Sequence, residues 1–183
     1  MMLLTLRLGL MKLDTITKTK LTTKLISTSF NQLIETDIES VLLIERQSSN
    51  NPWTQTQLLQ SIKNPVNLGY SLVYKSEIIG YLIVMPVIES ADILNIAINS
   101  RYQRKGFGKA LIEHLFQVLN KRGINEVFLE VRQSNVSAIK FYLALGFKEI
   151  SVRKNYYTKN SNDPSVKEDG IIMRLEISIT NKT

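Results

Sequence analysis

The chain has 183 residues, no cysteine and a formal net charge of +7. Apolar residues make up 44% and charged residues 21%, a balance that excludes a disordered chain or a membrane bundle and suits one domain with a hydrophobic core. The missing cysteine excludes disulfides, thiolate metal sites and a cysteine nucleophile, and fits a cytoplasmic protein.

The charge is uneven. In residues 1–24, Arg7, Lys12, Lys18, Lys20 and Lys24 stand against Asp14, so this segment carries +4 and the rest of the chain +3. A domain at +3 is mildly basic and demands no DNA or RNA. The apolar start is interrupted by Thr5, Arg7 and Gly9, too short and broken for a bilayer span or a secretory signal. Its Arg, Thr and Lys content faintly resembles an organelle transit peptide, and Met11 is an alternative start. Residues 1–24 are expected to be a disordered extension, 25–178 the folded domain and 179–183 a tail.

In chain order, residues 25–30 read as a short strand. Residues 35–47 carry Ile38, Val41, Leu42 and Ile44 at helical spacing. Asn50-Asn51-Pro52 ends that helix. Trp53 follows, and a second helix over 54–63 is capped by Thr54. Residues 70–75, 78–87 and 91–98 read as three strands of an antiparallel meander, with a turn at Lys75-Ser76-Glu77.

The period then changes. Residues 106–122 place Phe107, Leu111, Leu115, Val118 and Leu119 on one stripe of an amphipathic helix. Lys121 and Arg122 suit its negative end, and Gly123 its left-handed cap. His114, the one histidine, lies mid-helix with no second histidine for a metal site, and reads as structural or exposed. Residues 127–131 are a strand, and 135–145 a helix capped by Asn135 and closed by Gly146. Residues 147–157 and 171–177 are the last strands. The polar segment 158–169, which contains Pro164, reads as a loop between them. The expected fold is α/β, a mixed sheet packed by helices.

Two constellations carry chemistry. Gln103-Arg104-Lys105-Gly106-Phe107-Gly108-Lys109 joins a strand to a helix start, where free backbone N–H groups and the macrodipole favour an anion. The two glycines let a phosphate approach the backbone, and Arg104, Lys105 and Lys109 add positive charge. The pattern is neither a dinucleotide fingerprint nor a nucleoside-triphosphate loop. Gln-x-x-Gly-x-Gly after an apolar strand resembles the acetyl-CoA signature of the GNAT acetyltransferases.

The second constellation runs from Leu129 through Asn135 to Tyr142 and Phe147. Glu130 falls between Leu129 and Val131, hence on the opposite face of the strand. It is a paired surface carboxylate or a general base for a reacting amine. Asn135 is a helix cap that can also touch a cofactor. Tyr142 is a core or rim aromatic, or a phenol that protonates a departing thiolate.

Taken together, Asn95-Ile96-Ala97-Ile98, Tyr102 through Gly108, Leu129-Glu130-Val131-Arg132, Ser134-Asn135, Ala138-Ile139, Tyr142, Leu145-Gly146-Phe147 and Arg153-Lys154-Asn155-Tyr156-Tyr157 resemble one GNAT branch, the bacterial RimI-type ribosomal-protein-alanine N-acetyltransferases. Pro52-Trp53-Thr54 and Glu168 through Met173 also match, so the likeness covers residues 26–177. It implies a mostly antiparallel twisted sheet flanked by helices, with acetyl-CoA as cosubstrate and no metal. Ile96, Ala97 and Ile98 would lie along the pantetheine, and Arg104, Lys105, Gly106, Phe107, Gly108 and Lys109 would wrap the pyrophosphate. Asn135 would bind the cofactor, Glu130 would be the base and Tyr142 the acid. Tyr156 and Tyr157 would border the peptide entrance, with Trp53 a further substrate-side residue. The implied partner is the N-terminal alanine of a small-subunit ribosomal protein, met by a cytoplasmic monomer without a membrane or direct nucleic-acid contact. The N-terminal extension is not part of the family pattern.

The choice of amine has a thermodynamic side. At pH 7 the neutral form costs roughly 1 kcal/mol for an α-amine and about 4.6 kcal/mol for lysine. One carboxylate therefore serves an N-terminus more readily. The competing readings are the same fold acting on lysine, a polyamine or another small amine, and a non-catalytic RNA-binding module that uses the basic first 24 residues.

Overall fold

A computed structural model describes residues 28–160 and 163–177. The expectations for 1–24, for the first residues of the opening strand and for the 179–183 tail lie outside them. The elements are β1 (Thr28–Gln32), α1 (Ile38–Ser48), α2 (Gln55–Lys63), β2 (Leu68–Tyr74), β3 (Glu77–Pro86), β4 (Ser90–Ile98), α3 (Phe107–Lys121), β5 (Glu126–Arg132), α4 (Val136–Ala144), β6 (Lys148–Asn160) and β7 (Asp163–Glu176). Short 3-10 turns precede α1 and follow β4. The strands form one sheet in the order β1-β2-β3-β4-β5-β7-β6. All pairs are antiparallel except β4–β5. This is the mixed, mostly antiparallel α/β sheet that the sequence implies.

Local punctuation sets the helix ends. Thr54 accepts from the Gln57 N–H, while the Gln57 side chain accepts from the Thr54 N–H, a reciprocal cap. Asn135 Oδ1 accepts from the Ala138 N–H at 3.1 Å. Gly123 and Gly146 take φ of +72° and +97°, the left-handed caps expected after α3 and α4.

Each face of the sheet covers its own core. On one side, α1 and α2 bring Val41, Ile44 and Leu58 against Tyr81, Ile83 and Ala97. On the other, Leu111, Leu115 and Leu119 of α3 pack with Leu82, Val84, Val127 and Leu129. Truncating any of these α3 leucines to alanine costs about 2–5 kcal/mol. No helix among the described residues is long and apolar enough to cross a membrane.

One expectation is overturned. Residues 158–160 and 163–169, expected as loop, are strand: β6 and β7 form an antiparallel arm that pairs Tyr157 with Glu168, Thr158 with Lys167 and Asn160 with Asp163. Pairing of β5 with β7 ends at Arg132 and Gly170, so this arm is held from one side only.

His114 is structural. It stacks on Phe30 with ring centroids 4.3 Å apart and meets Tyr70 edge-on at 4.9 Å. Its Nε2 is buried without a partner. Burial, then the charge of Lys121, lowers its pKa below the ordinary histidine value. Protonation is therefore easier in the unfolded chain. The stability this ring provides is intact above about pH 6.5 and falls as the pH drops below that value. His114→Phe should flatten the loss of melting temperature between pH 7 and pH 5; an unchanged slope would remove His114 as its source.

Candidate active site

The parallel pair β4–β5 is short. It joins Ser90 to Glu126 through Ile93 to Leu129, and there the strands part. β4 continues to Ile98 against β3, and β5 continues to Arg132 against β7. The split coincides with an irregularity in β4. Ile83 pairs with Asn95 and Val84 with Ile93, leaving Leu94 as an extra residue. Ile96, Ala97 and Ile98 thus present a backbone edge without a β5 partner. From there on the sheet opens between β4 and β5.

At the far end of that edge lies the predicted anion site. Gly106 caps α3 at φ +86°, and a Cβ added there meets nothing within 4 Å. The first-turn N–H groups are therefore approachable, as an anion needs. The other glycine has a packing role as well. A Cβ on Gly108 would come 3.3 Å from Phe141, so this residue also lets α3 pack closely on α4. Phe107 is buried at 3% exposure, which leaves only its backbone to face a ligand. Arg104 turns the chain with φ +58°. Lys105 Nζ donates to the Arg101 carbonyl at 2.6 Å, and Lys109 lies 3.6 Å from Glu113 across an exposed helix turn. Gln103 Nε2 donates to the Ile98 carbonyl at 2.9 Å and ties this loop to β4.

Glu130 stands on the opposite face of β5 from buried Val127, Leu129 and Val131. Arg153 Nη1 approaches its Oε2 at 3.0 Å. The Tyr157 hydroxyl donates to the same carboxyl group. Burial first, then the hydrogen bond and charge of Glu130, pushes the Tyr157 pKa up, so this phenol stays protonated and remains a donor. Arg132 lies over the Tyr157 ring, 4.1 Å from its centroid, and is fixed by Glu168 at 2.8 Å. Burial favours protonated Glu168, but hydrogen bonds from Ser134 and Arg132 and the Arg132 charge outweigh it and lower the pKa.

A wide bulge places the two tyrosines. Arg153 pairs with Gly170 and Tyr157 with Glu168, so Lys154, Asn155 and Tyr156 together oppose Asp169. Asp169 holds the bulge by accepting from Lys154 Nζ at 2.7 Å and from the Asn155 N–H at 3.0 Å, with Asn155 at φ +53°. Tyr157 is thereby turned onto Glu130. Tyr156 is left half-exposed, edge-on to Tyr157 at 4.9 Å and beneath Arg153.

The other predicted residues fall elsewhere. Tyr142 is 7% exposed, among Phe141, Phe147 and the α3 side of the core. It lies on the face of the sheet opposite Glu130, so the structure does not bring the two into contact. Burial pushes its pKa up. Trp53 is half-buried before α2, its backbone N–H donating to Glu45 at 2.8 Å. It lines a cavity of about 300 Å³ with Gln57, Asn67, Met85 and Leu94.

Sequence reasoning missed three residues of this site. Arg153 and Asp169 were legible only as parts of motif runs. Gly170 likewise stood only as a member of the run Glu168 through Met173. A Cβ on Gly170 would stand 3.1 Å from Glu130 Oε1 and 3.2 Å from Tyr157 Cε2, so the glycine makes room for their contact. Gly170→Ala should shift both groups by a few tenths of an ångström and lower kcat about tenfold. Its melting temperature should change little; wild-type kcat would show that the contact is not needed.

The acetyltransferase (GNAT) family model matches residues 30–147. Ribosomal protein bS18-alanine N-acetyltransferase of Escherichia coli (strain K12) is 36% identical over 151 residues, 82% of this chain and 99% of that protein. The protein of the same name from Haemophilus influenzae is 36% identical over 143 residues, 78% of this chain and 94% of its own length. Among solved structures, the ribosomal-protein-S18-alanine N-acetyltransferase from Escherichia coli aligns with a TM-score of 0.75 at 35% identity, covering 85% of this chain and 97% of that one.

Proposed function

The chain belongs to the acetyltransferase (GNAT) family and is an N-acetyltransferase, and on that premise we propose that it acetylates the α-amine of the N-terminal alanine of a small-subunit ribosomal protein, using acetyl-CoA. One observation carries the substrate: the chain spans 99% of a relative named for that activity. Such a reaction belongs in the cytoplasm, where ribosomal proteins are made.

The described residues fit acetyl-CoA. The unpartnered β4 edge at Ile96, Ala97 and Ile98 suits the amides of a pantetheine arm. The open α3 start at Gly106 suits a pyrophosphate, with Arg104, Lys105 and Lys109 around it. Asn135 spends its Oδ1 on the helix cap and keeps its Nδ2 for a ligand. When bound, acetyl-CoA supplies a thioester carbonyl open to direct attack, so no nucleophilic side chain is required.

Glu130 takes the proton released as the amine forms its new bond to the acetyl carbon. Backbone N–H groups beside Ala97 face the carbonyl oxygen as charge develops there. Tyr142 gives its proton to the departing sulfur on the other face of the sheet. The separation of Glu130 and Tyr142 by the sheet supports this division of labour, because amine and thioester would then meet from opposite sides of the opening. Trp53, Tyr156 and Tyr157 border the amine's approach.

The test uses acetyl-CoA with a peptide that begins with alanine and contains an internal lysine. The expected product carries one acetyl group, on the α-amine. Acetylation confined to the lysine, or turnover with polyamines alone, would replace this substrate with another amine.

A further inference from the structure

We propose that Glu45 is a positioning residue that holds the acceptor-side segment ahead of α2 in register with the cofactor-facing edge of β4. It is 3% exposed, the one acid among the buried residues described. Its Oε1 accepts from the Trp53 backbone N–H at 2.8 Å and from Asn95 Nδ2 at 3.4 Å. Its Oε2 accepts from the Tyr81 hydroxyl. Burial, together with the charge and hydrogen bond of Glu45, raises the Tyr81 pKa, so that hydroxyl remains a donor.

These three donors come from three segments. Trp53 sits between Pro52 and the Thr54 cap of α2, so holding its N–H positions the entry to that helix. Asn95 follows the extra residue Leu94 and precedes Ile96, at the point where β4 leaves β5. Tyr81 pairs with Ala97 across the β3–β4 ladder. One carboxyl group of α1 thus ties the segment before α2 to the stretch of β4 that borders the opening.

A core position filled this way is costly. A buried carboxyl group is expensive to desolvate, and no lysine or arginine among the described residues bridges to Glu45. An apolar residue would fill the volume of Glu45 at no such cost, yet could not join these three donors. What the carboxyl group adds over packing is fixed geometry between the two sides of the site. The inference rests on the proposed function in one respect, the placement of Trp53 beside the acceptor.

Kinetics of the full-length protein test it. Glu45→Gln keeps the volume but turns an N–H₂ group toward neighbours that are themselves donors. The peptide KM should rise about tenfold, with kcat and the KM for acetyl-CoA within about threefold of wild type. Tyr81→Phe, which leaves the Trp53 tie intact, should raise the peptide KM less. Both are measured below their own melting transitions. If Glu45→Gln does not fold, Tyr81→Phe and Asn95→Ala carry the same test. A wild-type peptide KM in folded variants, whatever the melting temperature does, would reduce Glu45 to a packing role. An equal rise in both KM values would also overturn the proposal. If the wild-type protein takes a different amine, the substrate reading fails by itself, and the same comparison is made with that amine.

Discussion

Glu130→Gln should lower kcat by about 10²–10³-fold, within the range that a positioned general base contributes. The substitution keeps the side-chain volume and an oxygen for the Tyr157 hydroxyl. It removes the proton acceptor and the partner of Arg153. Arg153 is half-exposed, so losing this ion pair costs little stability, and the melting temperature should move by only a few degrees. The pH dependence separates base catalysis from general disruption. An α-amine is about 10–15% neutral at pH 7 and more than 90% neutral at pH 9. Raising the pH should therefore restore at most about tenfold of the loss, because the amine sheds its own proton but still lacks a positioned acceptor. Wild-type turnover at pH 7 would remove Glu130 from the chemistry.

Tyr142→Phe should lower kcat by roughly 10²-fold without loosening the core. Phenylalanine keeps the ring contacts with Phe141 and Phe147, at 5.3 and 5.6 Å between centroids. The hydroxyl has no hydrogen-bond partner among the described residues, so its loss leaves no orphaned group. The melting temperature should hold or rise while turnover falls, a pattern opposite to that of a damaged core. Burial raises the Tyr142 pKa and keeps the phenol protonated through the assay range, so its contribution is as a donor. Unchanged kcat in Tyr142→Phe would return the residue to its reading as a core aromatic.

Much of the fold was legible in the chain because its signals are local. Thr54 and Asn135 cap their helices, and Gly123 and Gly146 end theirs, as their positions beside periodic apolar runs imply. The alternation around Glu130 put it on the right face of β5. Residues 158–160 and 163–169 failed the same kind of reading. Their polar composition and proline describe a loop by local propensity, yet the strand partner comes from the other side of the arm. The α3 start divides similarly. The sequence located the open turn at Gly106, but not that the space beside Gly108 is filled by Phe141, from another helix.

The helices and their caps, most strands, the face of Glu130 and the family resemblance could be read from the chain, since each is written within a few residues through φ preference, period or motif spacing. The tertiary structure decided which groups meet. Glu45 reads in the chain as one polar residue of an amphipathic helix, while Tyr81 and Asn95 stand 36 and 50 residues away. Gly170 is one member of a motif run in the chain, and only the fold sets Glu130 and Tyr157 against it. The opening itself arises where β4 and β5 stop pairing. Such contacts depend on sheet register and on bulges at Leu94 and opposite Asp169, which all seven strands set together and no local window contains.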